Sequence, residues 1–178
     1  FLMLALGVAA SVLTRSMERQ SEELAAALET AATRNRMLRT VVENSDVGIL
    51  VMDRDGHDVL MNPAQRRLHF LGLPVGVSDS VEADLLVFEP DGITPLAQAD
   101  RPVSRAMRGE SFQGRLVAIG TDGSQQHLSI SAAPMIDEQG DFDGTVVIFQ
   151  NVTDLIGAIR AREQFVAEIS HEFRTPLT

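Results

Sequence analysis

The residue types that can do chemistry are concentrated in the last stretch of the chain. The run EISHEFRTPLT, residues 168–178, sets the titratable ring of His171 beside the carboxylate of Glu172. Pro176 follows within the next turn, where it removes the backbone donor that would bond to the carbonyl of Glu172. The proline predicts a local bend one turn beyond the ring, which gives the helix two accessible shapes. The role of His171 then depends on which way its ring faces.

The apolar spacing around His171 predicts that direction. A seam of alternating four- and three-residue steps places Val166 and Phe173 at heptad position a and Ile169 at position d. His171 then falls at position f, so its ring is predicted to point to solvent. A lone exposed histidine usually has no chemical role, and no second His or Cys lies at the spacing of a metal ligand. No metal site is expected, and the spacing alone leaves the role of His171 open.

The composition excludes several classes of protein. The chain has 178 residues, enough for one ordinary domain with extensions, and it is 44% apolar with a net charge of −10. A nucleic-acid partner is not expected, because a phosphate backbone requires clustered Lys and Arg. The absence of Cys excludes disulfides, thiolate metal sites and thiol chemistry.

The first residues predict a link to a membrane. Residues 1–13, FLMLALGVAASVL, are uncharged, but they are too few for a bilayer span of about 20 residues. Arg15 and Arg19 follow at once, as the positive-inside bias expects. We therefore expect residues 1–13 to be the inner end of a transmembrane helix at the cell membrane, with the chain from about Thr14 onward cytoplasmic. A buried soluble helix and a signal-peptide remnant are the alternatives.

Residues 14–40 are predicted to be a helical coiled-coil linker. Asn35 falls at an a position of this seam, and a buried Asn there favours a parallel homodimer in fixed register. Ser21 within the seam and Arg34 and Arg39 at the flanking g and e positions weaken the pairing, so a single amphipathic helix that packs on the next domain is the alternative. The apolar seam positions are Met17, Leu24, Leu28, Ala31, Leu38 and Val42.

The pattern after residue 44 predicts an α+β domain. The residues Arg54-Asp55-Gly56 predict the turn of a β-hairpin. Asn62 and Pro63 are then predicted to be the N-cap and the first residue of a helix. Strands gather at both ends of this block with helices between them, which is typical of an α+β fold rather than of a βαβ array. The predicted strands span 47–53, 57–62, 112–120, 125–135 and 144–151, a helix within 97–109 stops at Gly109, and a helical pattern resumes at Val152.

Two parts of this block resemble a PAS domain. GILVMDRDGHDVLMNPAQRRL resembles the opening hairpin and first helix of that family, and GSQQHLSISAAPMIDEQGDFDGTVVIFQNVTDL resembles its last two strands and exit. The resemblance covers residues 41–154. It implies a five-stranded antiparallel sheet with flanking helices, set here between N- and C-terminal coiled-coil-like helices.

HEFRTPLT resembles the H-box of sensor histidine kinases of bacterial two-component systems. The resemblance makes residues 155–178 a signalling helix and the start of a dimerisation and phosphoacceptor domain. It implies that His171 accepts phosphate from ATP, which a domain outside this chain would bind, and passes it to an Asp of a cytoplasmic response regulator. Glu172 would assist proton transfer, and Thr175 would help to place a water for dephosphorylating the regulator.

The exit of the PAS-like block departs from the family pattern. Many members have Asp-x-Thr there, whereas this chain has Asn151 in the Asp position and keeps Thr153. An amide can still accept a hydrogen bond but cannot form an ion pair. The resemblance assigns signal coupling to Asn151 and Thr153, together with the bend at Pro176.

The cofactor expectations follow from residues that the chain lacks. Without Cys, a flavin–cysteine adduct cannot form, and residues 97–109 contain no His of the kind that ligates haem in haem-binding PAS domains. We therefore expect a colourless domain, which binds a small metabolite or no ligand. The full-length protein is expected to be a protein-histidine kinase, although this chain alone should not phosphorylate itself. The alternative is a PAS ligand-binding or dimerisation module coupled to another output, such as a nucleotide cyclase.

Overall fold

The structure is a computed structural model that describes residues 2–74, 85–121 and 123–172. The chain divides into two units, residues 1–44 and residues 45–178. The described part of the first unit is essentially one helix, α1 (Leu2–Glu43). Within the described ranges, we find no helical stretch with the length and hydropathy that a membrane crossing requires. The assignment of residues 1–13 to the end of a transmembrane helix stays a prediction.

The second unit combines helices with one antiparallel sheet. The sheet order is β2-β1-β6-β5-β4-β3. The α+β prediction is therefore confirmed, and each predicted strand and helix has a counterpart among the described elements. These elements are β1 (Gly48–Asp53), β2 (Asp58–Met61), α2 (Pro63–Gly72), β3 (Val87–Phe88), a 3-10 turn (Gln98–Asp100), α3 (Pro102–Met107), β4 (Phe112–Ile119), β5 (Gln126–Ile136), β6 (Phe142–Asn151) and α4 (Thr153–Glu172).

The sheet has six strands in the described residues where the sequence predicts five. The additional strand is β3, which pairs with the edge of β4 through Val87 with Ile119 and Phe88 with Ala118. A two-residue strand is too short to show the alternating pattern by which strands are recognised. Its pairing with β4 defines it, so the local sequence does not reveal it.

The predicted hairpin turn forms between β1 and β2. The N–H of Asp53 donates to the carbonyl of His57 at 3.0 Å, and the N–H of Gly56 donates to the carbonyl of Asp53 at 3.1 Å. Gly56 has a φ of 86°, in the left-handed region that a residue without Cβ adopts readily. The hairpin places β2 at one edge of the sheet and leads directly into α2.

The core lies on one face of the sheet. Leu128, Val117 and Val147 are almost completely buried there, and they belong to one continuous apolar cluster. Side chains of α2 and of the segment before α3 approach the same face. The space between these elements and the sheet is only partly filled, and it forms the cavity described next.

Candidate functional site

A cavity of about 540 Å³ lies between the sheet and α2. This volume is within the range of roughly 300–1,000 Å³ that is typical of small-molecule sites. The wall on the sheet side is apolar and comes from β1, β4, β5 and β6, which place every second side chain on this face. The wall residues are Leu50, Val117, Ile119, Leu128, Ile130 and Phe149.

Asn62 fixes the helix that forms the opposite wall. Its side chain is 2% exposed and acts as the N-cap of α2, where Oδ1 accepts a hydrogen bond from the N–H of Gln65 at 2.9 Å. The same oxygen accepts from the N–H of Ile49 at 2.9 Å, and Nδ2 donates to the carbonyl of Val47 at 2.8 Å. Asn62 therefore joins the first turn of α2 to the start of β1, in addition to the capping role that the sequence predicts.

Gln65 is the buried polar residue of the cavity wall. Its side chain projects from the first turn of α2, and the residue is only 6% exposed. Its Oε1 has no hydrogen-bond partner among the described residues. The oxygen lies against the backbone of Gly48, where a Cβ would come within 2.6 Å of it. A buried acceptor without a partner is unfavourable by about 1–3 kcal/mol.

The charged and titratable lining residues lie nearer to the surface. His57 and Asp58 are exposed, whereas His69 and Arg101 are half-buried. His57 lies in the loop of the β1–β2 hairpin, and His69 lies on α2. Their position along this cavity depends on how α2 and the hairpin pack on the sheet, and no local pattern signals it.

The junction between β6 and α4 is held by hydrogen bonds of Asn151 and Thr153. Asn151 Oδ1 accepts from the backbone N–H of Thr153 at 3.0 Å and from its hydroxyl at 2.7 Å. The amide of Asn151 donates to Oε1 of Gln126 at 2.9 Å. An Asp here would keep the first two bonds and lose the third.

His127 connects this junction to the turn that follows β3. Its backbone N–H donates to Oγ1 of Thr153 at 2.9 Å, and its carbonyl accepts from the N–H of Val152 at 2.9 Å. Its ring Nε2 lies 3.3 Å from the carbonyl of Pro90, in the turn that follows β3. Val87 of β3 lines the cavity. The turn after β3 and His127 therefore link the cavity wall to the first residue of α4.

The hairpin turn brings together a further group of polar side chains. Ligand atoms of Asp53, Asp55 and His57 lie within 4.8 Å of one another. Asp53 Oδ1 already accepts the backbone N–H groups of Asp55 and His57, and the bond from His57 is the main cause that lowers the pKa of the Asp53 carboxyl. The Asp53 carboxylate thus stabilises the turn. Asp55 and His57 are exposed, and the group gives no further indication of a metal site.

The structure reaches only part of the predicted catalytic stretch. His171 and Glu172 lie in the last turn of α4. Thr175 and Pro176 lie outside the described residues. Asn35 is exposed on α1. The predicted coupling residues Asn151 and Thr153 are thus brought together, whereas the cavity residue Gln65 and the ring contact of His127 were not predicted.

The PAS fold family matches residues 42–156 of the chain. This segment is more than half of the 178 residues. The chain belongs to the PAS fold family, as its antiparallel sheet with flanking helices also indicates.

The curated relatives are sensor proteins. The chain is 28% identical over 155 residues to the alginate biosynthesis sensor protein KinB of Pseudomonas aeruginosa, a match that covers 85% of this chain and 24% of KinB. It is 27% identical over 143 residues to the sensor histidine kinase WalK of Bacillus subtilis strain 168, with 80% of this chain and 21% of WalK covered. The chain therefore spans about a quarter or less of the length of these relatives. The resemblance to PAS-containing sensor histidine kinases is confirmed at this level.

Among solved structures, the chain is similar to the PAS domain from Bordetella pertussis BvgS. The TM-score is 0.44 at 20% sequence identity, and the match covers 76% of this chain and 98% of that domain.

Proposed function

We propose that this chain is the sensor and linker region of a membrane-anchored, homodimeric histidine kinase. The PAS domain would relay a signal through α4 to His171, which accepts phosphate from ATP and passes it to an Asp of a response regulator. The family match and the similarity to WalK support this proposal. ATP would be bound by a catalytic domain that is not part of this sequence.

The observation that carries the proposal is that His127 contacts both the start of α4 and the turn after β3. Its backbone is bonded to Thr153 and Val152 at the start of α4, and its ring contacts the carbonyl of Pro90 in the turn after β3. A shift of β3 at the cavity wall would therefore act on the first turn of α4 through one residue. A helix is stiff over its length, so a displacement at Thr153 would be transmitted to the last turn, which holds His171.

The proposed reaction at His171 is an in-line phosphoryl transfer. A neutral ring nitrogen attacks the γ-phosphorus of ATP, an N–P bond forms, and the bond to the leaving oxygen of ADP breaks. Glu172 would hold or accept the proton of the other ring nitrogen. In the reverse function, the hydroxyl of Thr175 would hold a water against the phospho-Asp of the regulator. A bend at Pro176 would set the balance between the two activities.

The two long helices support the homodimer. Predicted seam residues of both helices are exposed in the single chain, at 62% for Leu24 and Leu28 of α1 and at 56% for Val166 of α4. Apolar residues exposed at heptad spacing are stabilised when two helices pair. The membrane anchor rests on the uncharged run at residues 1–13 and on the arginines that follow it.

The test is a paired assay of kinase and phosphatase rates in the longer protein that carries the ATP-binding domain. His171→Gln should abolish phosphorylation, because an amide lacks the nucleophilic nitrogen. Glu172→Ala should slow it by about 10²–10⁴-fold. Thr175→Ala should spare phosphorylation and impair dephosphorylation of the regulator, and Pro176→Ala should shift the balance without ending either activity. Acid-labile phosphate on the His171→Gln protein would disprove the central claim.

The relay through the junction needs a separate variant. Thr153→Val keeps the side-chain shape and removes the hydroxyl that bonds to Asn151 and His127, so it should change the ratio of the two activities. Thr121→Val is the matched control, because among the described residues the hydroxyl of Thr121 bonds within its own loop, to Ser124. Equal ratios in the two variants would show that the junction does not carry the signal.

A further inference from the structure

We propose that the cavity binds a small, uncharged and largely apolar molecule that forms a hydrogen bond with the side chain of Gln65. This inference rests on the proposed sensor function and names the class of signal that the domain would read. It is carried by three features of the described residues: the volume of the cavity, its apolar wall and the unpartnered amide oxygen within that wall.

The volume of the cavity is larger than that of the voids that imperfect packing leaves in a protein interior. Protein interiors are close-packed, and voids larger than a water molecule are few in a domain. A space of about 540 Å³ is several times the volume of an engineered cavity of about 150 Å³ that binds benzene. Its wall, from Leu50 to Phe149, is apolar on the sheet side, so water inside it has few partners. An apolar occupant removes that unfavourable contact.

Gln65 supplies the directional contact. The cap made by Asn62 holds the backbone at Gln65 and joins it to β1, so the point from which this side chain projects is fixed. The amide lines the cavity, and its Oε1 lacks a partner among the described residues. An amide presents an acceptor on one side and two donors on the other, and it exchanges them by rotation about its last bond. Oε1 lies against Gly48 in the described orientation, so a ligand with an N–H or O–H group would satisfy the acceptor after a rotation about that bond.

The charge distribution argues for a neutral ligand. Every buried residue among those that line the cavity is apolar except Gln65. The charged or titratable lining residues, Asp58, His57, His69 and Arg101, are exposed or half-buried, and Nε of Arg101 lies 3.5 Å from the carbonyl of Leu96. A charge carried to the depth of Gln65 would lose its hydration without gaining an opposite charge, which is strongly unfavourable.

Two fluorescent probes with the same aromatic frame test this inference on the intact chain. N-phenylnaphthylamine is uncharged and has one N–H donor, whereas anilinonaphthalene sulfonate adds a negative charge. Both become brighter in an apolar site. We expect saturable binding of the neutral probe at one site per chain, at least about tenfold tighter than binding of the sulfonate. Equal affinities, or tighter binding of the sulfonate through Arg101, would overturn the assignment of a neutral ligand.

Variants locate the probe. Gln65→Leu removes the acceptor and should weaken the neutral probe by about threefold to tenfold, as expected for the loss of one hydrogen bond. Gln113→Leu is the matched control on the exposed side of β4 and should bind like the unmodified chain. An unchanged affinity in Gln65→Leu would refute the role of Gln65.

A filling variant tests the cavity itself. Val117→Phe adds volume to the wall and should remove binding, and its unfolding temperature should stay close to that of the unmodified chain because the space is available. A folded Val117→Phe chain that binds the probe normally would show that the probe lies elsewhere, for example on the exposed helices. If this variant does not fold, Gln65→Leu and the probe pair still decide the question. None of these measurements involves phosphate transfer, so their failure is separate from a failure of the proposed kinase role.

Discussion

The core of the PAS domain and the two long helices differ in how far they bury the same type of side chain. Leu128 of β5 is 1% exposed, whereas Leu28 of α1 is 62% exposed. The domain buries a cluster of apolar side chains against its own sheet, and the cavity described above lies beside this cluster. The helices carry apolar side chains that a single chain does not cover. The core of the domain is thus buried within one chain, and the exposed apolar side chains of the helices are suited to contacts with a second one.

The polar residues show the same contrast. Asn62 is 2% exposed and bonds to three backbone groups, which binds two elements of the domain together. Asn35, at the seam of α1, is exposed in the single chain. The first amide stabilises a fold, whereas the second would select the register of a pair of helices. Matched substitutions in the two regions test this difference.

The largest difference is expected for the same truncation at two leucines. Leu128→Ala should lower the free energy of unfolding of the PAS domain by about 2–5 kcal/mol, because a buried side chain is lost and a void is left. Leu28→Ala should leave that unfolding transition unchanged and weaken self-association by about tenfold or more. Thermal unfolding and sedimentation of both variants measure the two effects. A Leu28→Ala chain that destabilises the domain would break the comparison.

A smaller loss is expected at the buried cap. Asn62→Ala should reduce the stability of the domain by about 2–4 kcal/mol, since it removes the cap and leaves the backbone groups of Val47 and Ile49 without this partner. Asn44→Ala is the matched control, because Asn44 is exposed and, in the part of the chain that the structure describes, its side chain bonds to the carbonyl of Thr40. Denaturant unfolding compares the two. Equal losses would show that the burial of Asn62 contributes nothing.

The smallest effect is expected at the register position of α1. Asn35→Val should strengthen association by about tenfold and broaden the range of oligomers, because an apolar residue at position a removes the need to pair two amides. Sedimentation over a concentration series measures both results. A chain that stays monomeric at tens of micromolar, a concentration at which a weak coiled coil should pair, would disprove the dimer.

Some elements were predictable because the interactions that form them are local. The cap at Asn62 and Pro63 and the turn at Gly56 involve residues only a few positions apart, and the structure has both. The pattern from Asn151 to Thr153 also resembled the motif at the end of a PAS domain, and the structure has hydrogen bonds between these two residues. The bonds from this junction to β5 were not predictable, because Gln126 and His127 are far along the chain from Asn151 and Thr153.

By itself, the sequence determined the α+β character, the start of α2 at Pro63, the hairpin turn at Gly56 and the pattern around His171 that resembles an H-box. These depend on periodicity, capping and motif spacing within short segments. Only the tertiary structure decided that Val87 and Phe88 become a strand, that Gln65 is buried in a cavity wall and that the ring of His127 meets Pro90. Each of these depends on segments far apart in sequence, such as β1 and β6, which pair directly in the sheet. Such pairings arise when the apolar faces of the whole domain are buried together, and no short segment encodes them.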